Sequence, residues 1–356
     1  MSKVSFNNKQ NPFFTTLKGK VNAYFAANNI HTSGNKKLYV KSIIQVSSAI
    51  ALYITLVFFT PGTFLSLILC ALLGISLAVI GFNVMHEGGH QSFSKHKWVN
   101  TVGAYFLNML GGNTFFWKIK HNINHHTYTN IEGMDSDIDV KPFMRLHENQ
   151  SHLWIHRYQH LYCTILYGIS YFAWVFWDDF EKYFTGNIAA GTKRKMNIKE
   201  HLIFWITKLL YVVVYLVVPI LMVGLAKVMI GFAVVTFVCG ISIAIVFQLA
   251  HVVEGTSFHD LKGESPKIEQ EWAVHQIHTT ANFSTKNKVI SWLLGGLNFQ
   301  VEHHLFPRIS HVHYPKINQF VKETCEQYKI TYLEYSSFFK AVRSHYTHVK
   351  KMGRAF

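Results

Sequence analysis

Between Ser42 and Met85 the chain carries no Lys, Arg, Asp or Glu, a run of 44 residues, whereas a single helical crossing of a bilayer takes about 20. Thr60-Pro61-Gly62 stands near the middle and favours a turn, so the run reads as a helical hairpin. A second charge-free pair follows, Leu209 to Ala226 and Val228 to Val253, interrupted only by Lys227. The expected fold is an all-α integral membrane protein with four transmembrane helices in two hairpins, at about 42–60, 63–85, 205–225 and 228–250. Four crossings return both chain ends to one side. The composition, 49% hydrophobic and 15% charged, agrees with this and argues against a water-soluble globular protein.

Orientation follows from basic residues at the span ends. Lys36, Lys37 and Lys41 precede the first hairpin and Lys193, Arg194, Lys195 and Lys199 the second, while the two turns hold one lysine between them. The positive-inside tendency then places both ends, with a helical cap of residues 86–204 and 251–356, in the cytoplasm. The first 40 residues are polar and show no apolar core with a cleavage site, so the first span is expected to direct insertion. Two further charge-free segments complicate the count. Trp98 to Trp117 contains Asn100, Asn108, Asn113 and Gly111-Gly112, which suits an element buried against protein better than one facing lipid. Tyr158 to Trp177 is rich in Tyr, Phe and Trp and is expected along the membrane interface. A crossing there would put the later histidines on the opposite side from the earlier ones.

Histidines gather just beyond the apolar runs: His86 and His90, then His121, His125 and His126, then His303 and His304, with His251 at the end of the fourth span. Residues four apart share a helix face, a condition met by His86/His90 and by His121/His125. Imidazole ligates iron, zinc, copper and nickel without first losing a proton. Eight such donors exceed the needs of one tetrahedral zinc, so the economical reading is two metal ions in one cage at the membrane surface. Cys70, Cys163, Cys239 and Cys325 are far apart and form no C-x-x-C, which indicates neither a disulfide framework nor a thiolate metal site. The net charge of +15 in a chain with four spans points to anionic headgroups, coenzyme A phosphates or an acidic redox partner, not to nucleic acid.

The order His86-x3-His90, His121-x3-His125-His126 and Gln300-x2-His303-His304, interleaved with two apolar hairpins, resembles the membrane fatty acid desaturases. The likeness runs from Asn11-Pro12-Phe13-Phe14 to the stretch ending at Pro307, and includes His125 to Asn130 with Asp135 and Asp137, Tyr158 to Tyr162, and Trp272 to Phe283. It implies two non-haem irons held by His86, His90, His121, His125, His126, His303 and His304, with His251 as an extra ligand, and dioxygen as co-substrate. The fatty acyl substrate is expected on coenzyme A or phospholipid, in an apolar tunnel between the spans. Gln300 stands where many relatives have histidine and is similar to the front-end desaturases. It is expected as a weak oxygen ligand or a hydrogen-bonding neighbour. Asp135 and Asp137 are expected to orient ligand imidazoles or to cap a turn. No nicotinamide, flavin or fused haem motif is present, so a separate ferredoxin, or cytochrome b5 with its reductase, is implied. A bacterial cytoplasmic membrane is preferred over endoplasmic reticulum.

Other readings remain open at this point. A hydroxylase, epoxidase or ketolase acting on lipid would use equivalent irons. A metal transporter would instead line a path across the bilayer with its histidines, and the charge-free first hairpin disfavours that. His152, His156 and His160 recur every four residues and form a rival face, read here as headgroup contact. His275 and His278 are read as supporting residues.

Overall fold

A computed structural model describes residues 4–8, 12–189, 192–260 and 267–355; Asn11, where the family-like stretch begins, lies outside the described residues. Four helices are long and apolar enough to cross a membrane: Lys36–Phe59, Thr63–Gly89, Ile198–Val223 and Leu225–His251. Their outward faces are apolar, with Phe64 80% exposed and Ile43, Leu65, Leu209 and Leu221 also exposed, which only a lipid environment accommodates. The chain is an all-α integral membrane protein.

The first hairpin turns where the sequence suggests, with Thr60 in the left-handed region. The second turns at Gly224, whose φ of 93° excludes a side chain at low cost. Lys227, expected to divide the two spans, therefore belongs to the first turn of the fourth. The second span does not stop at Met85; a π-helical turn over Gly81–Met85 carries it on to Gly89, so the first histidine pair rides on the end of the span itself. The second and fourth spans pack along each other, and the first packs on the second.

Glycines allow close backbone approach around the first histidine pair. A side chain at Gly88 would meet the backbone of Gly103 and Ala104, at 2.6 and 2.5 Å, and one at Gly89 would run into the Trp117 ring. The two glycines between His86 and His90 thus let helix Lys97–Met109 and Trp117 close over the pair. The asparagines of that region face protein. Asn100 Oδ1 accepts from the Ser94 amide at 2.8 Å, Asn108 Nδ2 donates to Thr207 at 3.1 Å, and Asn113 caps the helix after it. The helix from Gln159 packs against the fourth span, where a side chain at Gly240 would meet the carbonyls of Tyr167 and Gly168 at 2.6 and 2.5 Å. Its aromatics are accordingly divided between core and surface, which alternation along the sequence does not show. Tyr167 is buried and donates to His345 Nε2 at 2.8 Å, and Tyr171 is buried against Leu110, while Trp177 is exposed.

The N-terminal helix Phe13–Ala27 buries Phe13, Leu17, Val21 and Phe25, four residues apart, against helices Trp272–His278 and Tyr314–Gln327. This layer covers the third histidine pair on Gln300–Leu305.

One buried ion pair ties the layers together. Lys208, on the third span, donates to Asp179 Oδ2 at 3.0 Å and to the carbonyls of Gly111 and Val175, each at 2.6 Å. Both side chains are almost fully buried. Removing one partner leaves an uncompensated charge, a loss of about 3–5 kcal/mol. Lys208→Ala should therefore sharply lower the thermal stability of the detergent-solubilised protein; an unchanged unfolding temperature would show that the pair does not hold these helices.

Candidate metal centre

The histidines of all three boxes and His251 meet in one place. Donor atoms of His86, His90, His121 and His303 lie within 4.8 Å of one another, and so do those of His125, His251 and His304. His126 lies between the two groups, its ring 4.6 Å from that of His303 and 4.4 Å from that of His304. Second-box residues reach both groups because the segment Lys118–His125 is π-helical, with the His126 amide bonded back to the His121 carbonyl. The spacing suggests that His121 and His125 share one role on one face. Their rings do stack, 5.4 Å apart, and with Asp137 they form a third close-set group; beyond that, His121 joins the first group and His125 the second.

On four of the eight rings the outer nitrogen is held, which sets where the inner one points, whereas Nδ1 of His126 is buried without a partner. On four rings Nδ1–H is the donor: His125 to Asp135 Oδ2 at 3.1 Å, His304 to Gln276 Oε1 at 2.8 Å, His303 to the Tyr314 hydroxyl at 3.2 Å, and His251 to the Thr279 carbonyl at 3.2 Å. With Nδ1 protonated, each Nε2 keeps its lone pair. Nε2 of His90, His125, His303 and His304 is buried without a partner. Nε2 of His121 lies 3.2 Å from that of His86 and 3.3 Å from that of His126. Buried lone pairs left bare and crowded this closely are costly unless a cation lies among them. The donor set therefore fits metal ions.

Electrostatics agrees. Burial, with the neighbouring imidazoles adding to it, holds His90, His121, His126, His303 and His304 well below the usual histidine range, so they stay neutral, as ligands must be. His125 departs from this: burial pulls its pKa down, but the Asp135 and Asp137 carboxylates more than offset that and raise it. Asp137, 3.5 Å from His125 Nδ1, pairs with Lys120 at 2.6 Å. Asp135 also accepts the Asn130 and Asp137 amides, so it orients a histidine and caps a turn at once.

Gln300 belongs to the second group. Its Nε2 is 3.3 Å from His251 Nε2, and its Oε1 is buried without a partner, which suits a fourth donor beside three imidazoles. The rival histidines lie elsewhere. His156 donates to the Pro142 carbonyl and His152 to that of Gly353, and among the described residues they join no metal-ligating group. His275 holds the Thr129 carbonyl at 2.9 Å, and His278 contacts Gln270.

Sequence reading did not single out Gln276, Tyr314 and Thr279, although Gln276 and Thr279 lie in the family-like stretch Trp272 to Phe283, since each meets its histidine only through folding. It also missed a buried chain in which Lys41 Nζ donates to His311 Nε2 and His311 Nδ1 donates to Glu87 Oε1, both at 2.7 Å. Glu87 follows His86 directly, so this chain ties the first box to the first span and to the segment after the third box.

A cavity of about 300 Å³ opens beside the first group, bordered by His86, His121 and Gln300 and by apolar residues including Phe82, Trp117 and Ile243. Residues 62–336 match the family model described as fatty acid desaturase. The chain is 36% identical to the sn-1 linoleoyl-lipid 6-desaturase of Arthrospira platensis, over 99% of this chain and 95% of that protein. It is 35% identical to the protein of the same name in Synechocystis, over 99% and 98%, and 34% identical to the acyl-lipid (8-3)-desaturase of Physcomitrium patens, over 96% and 72%. The chain belongs to the fatty acid desaturase family. It is a multi-pass membrane enzyme whose catalysis depends on metal, acting on fatty acyl lipid.

Hydrogen-bonded neighbours of metal ligands typically contribute about 10–100-fold to metal affinity. Tyr314→Phe, which leaves His303 Nδ1 without an acceptor, should weaken metal retention against a chelator within that range. Unaltered retention would show that the hydroxyl does not orient His303.

Proposed function

We propose that the chain carries out dioxygen-dependent, front-end desaturation of a fatty acyl chain on two non-haem irons, one held by His86, His90, His121 and His303, the other by His125, His251 and His304 with Gln300, and with His126 serving between them. The observation that carries this reading is the pair of histidine groups turned inward on one buried site beside a cavity with one apolar wall. Bound there, iron would supply the oxidising power, drawn from dioxygen and two electrons, that an unactivated methylene requires.

The residues of this chain do the rest. Asp135, Gln276, Tyr314 and Thr279 fix imidazole orientation and tautomer, and the layer of helices over the site excludes water. Phe82, Trp117 and Ile243 border the space in which one methylene must be presented, since position and not reactivity distinguishes near-identical carbons. Gln300 in the third box, and relatives named as 6- and (8-3)-desaturases, favour the front-end type. The gathering of these histidines at one end of the spans argues against a transport path. The cap of residues 90–197 and 252–356 faces the cytoplasm of a bacterial membrane, where a separate ferredoxin, or cytochrome b5 with its reductase, delivers electrons to a basic surface.

Expression in a desaturase-deficient host fed defined unsaturated acids should yield a new double bond on the carboxyl side of an existing one, only in air. Hydroxylated product instead would favour the hydroxylase reading, and no oxidised lipid would overturn both. The purified protein should hold about two irons per chain, and His125→Ala should abolish turnover with insertion intact; an active sample containing only zinc would refute the iron assignment. Among Gln300 variants, Gln300→His should keep more iron and activity than Gln300→Ala. Equality of Gln300→Ala with the unmodified enzyme would remove Gln300 from the site.

A further inference from the structure

The cavity beside the first histidine group has walls of two kinds. One is apolar, while Lys120, Asp137, Asp178 and Lys182 contribute charge to the other. An acyl chain alone has no use for the second wall, and four charged residues bordering an otherwise apolar space are costly without a ligand or a partner.

Two of the four are accounted for, since Lys120 pairs with Asp137 at 2.6 Å and Asp137 lies beside His125. Of the other two, Asp178 acts on Lys182 only through its charge, and among the described residues the Lys182 ammonium makes no hydrogen bond or ion pair within contact distance, although it is half-buried. Burial lowers its pKa, Lys120 adds to that, and the nearby Asp179, Asp178 and Asp137 oppose it. It sits one turn after Asp178 on helix Asp179–Thr185, the element anchored by the buried Lys208–Asp179 pair, so its backbone is fixed relative to the cavity.

We propose that Lys182 donates to the carbonyl oxygen at the head of the acyl substrate and so sets how many carbons separate that carbonyl from the oxidised methylene. This rests on the desaturase reading above. The carbonyl is the polar atom an acyl chain brings to such a cavity, and an ammonium offers it three rotatable donors. Because His86 and His121 border the same cavity, holding the carbonyl at Lys182 counts methylenes from the carboxyl end. Both a glycerolipid ester and a coenzyme A thioester present that carbonyl.

The test uses purified, iron-loaded enzyme with its electron donor, assayed in two arms, linoleoyl-phosphatidylglycerol vesicles and linoleoyl-coenzyme A, with double-bond position read by mass spectrometry. Lys182→Met should retain iron and fold while raising KM about tenfold, the loss of one charged hydrogen bond, and should spread the double bond over neighbouring positions; Lys182→Arg should restore the single position. An effect in one arm alone identifies the carrier. Wild-type KM and a single product from Lys182→Met would overturn the proposal. So would loss of iron and activity in parallel in Lys182→Met, Lys182→Gln and Lys182→Arg, which would mark a structural role. Failure of the unmodified enzyme to desaturate in either arm would instead count against the reading on which this rests.

Discussion

Gathering eight imidazoles in a buried volume is tenable only if they are neutral and their lone pairs converge, and the rest of the structure serves those two conditions. Neutrality comes from burial, which holds five of the eight well below their ordinary range. On four of the eight rings convergence comes from hydrogen bonds on the far side, accepted by a carboxylate, an amide, a hydroxyl and a backbone carbonyl. These acceptors differ chemically but do the same thing, which is to keep the proton on Nδ1 and aim Nε2 inward. His125, with two carboxylates near it, is the one shifted the other way among those outside the spans, and its lone pair faces the second group only while Asp135 holds its proton outside.

Rigid placement of ligands needs rigid carriers, and here the carriers are the ends of membrane helices. His86 lies on the last turns of the second span and His251 is the last residue of the fourth. These two spans pack closely because glycines remove side chains at the contacts, as Gly74 does against the Val235 carbonyl. In a bilayer, where apolar surfaces gain little by meeting, such close backbone approach is what holds helices together. The lipid-facing sides meanwhile need only be apolar.

Helix geometry itself is adjusted at the site. The π-helical stretch Lys118–His125 widens the turn, and one eight-residue segment then supplies donors to both groups. A second such stretch, Gly81–Met85, immediately precedes His86. Both sit where a ligand is presented, although three further π-helical stretches, Thr55–Phe59, Trp174–Asp178 and Val213–Val217, carry none, so the π-turn alone does not mark the site.

The sequence by itself determined the number of spans, their pairing into hairpins and the residues that form the three boxes, because hydropathy and local spacing act over stretches shorter than a helix. It also marked Gln300 as a departure from the commoner pattern. It misplaced the second turn near Lys227, since a long apolar run hides where one glycine takes a positive φ. The division of His121 and His125 between two groups, the partners Gln276, Tyr314 and Thr279, and the link from Lys41 through His311 to Glu87 were decided only by the tertiary structure. Each joins segments tens to hundreds of residues apart or depends on a change of helical pitch. Neither leaves a periodic trace in one sequence, because contacts between distant segments are set by how whole helices pack and not by the residues beside each ligand.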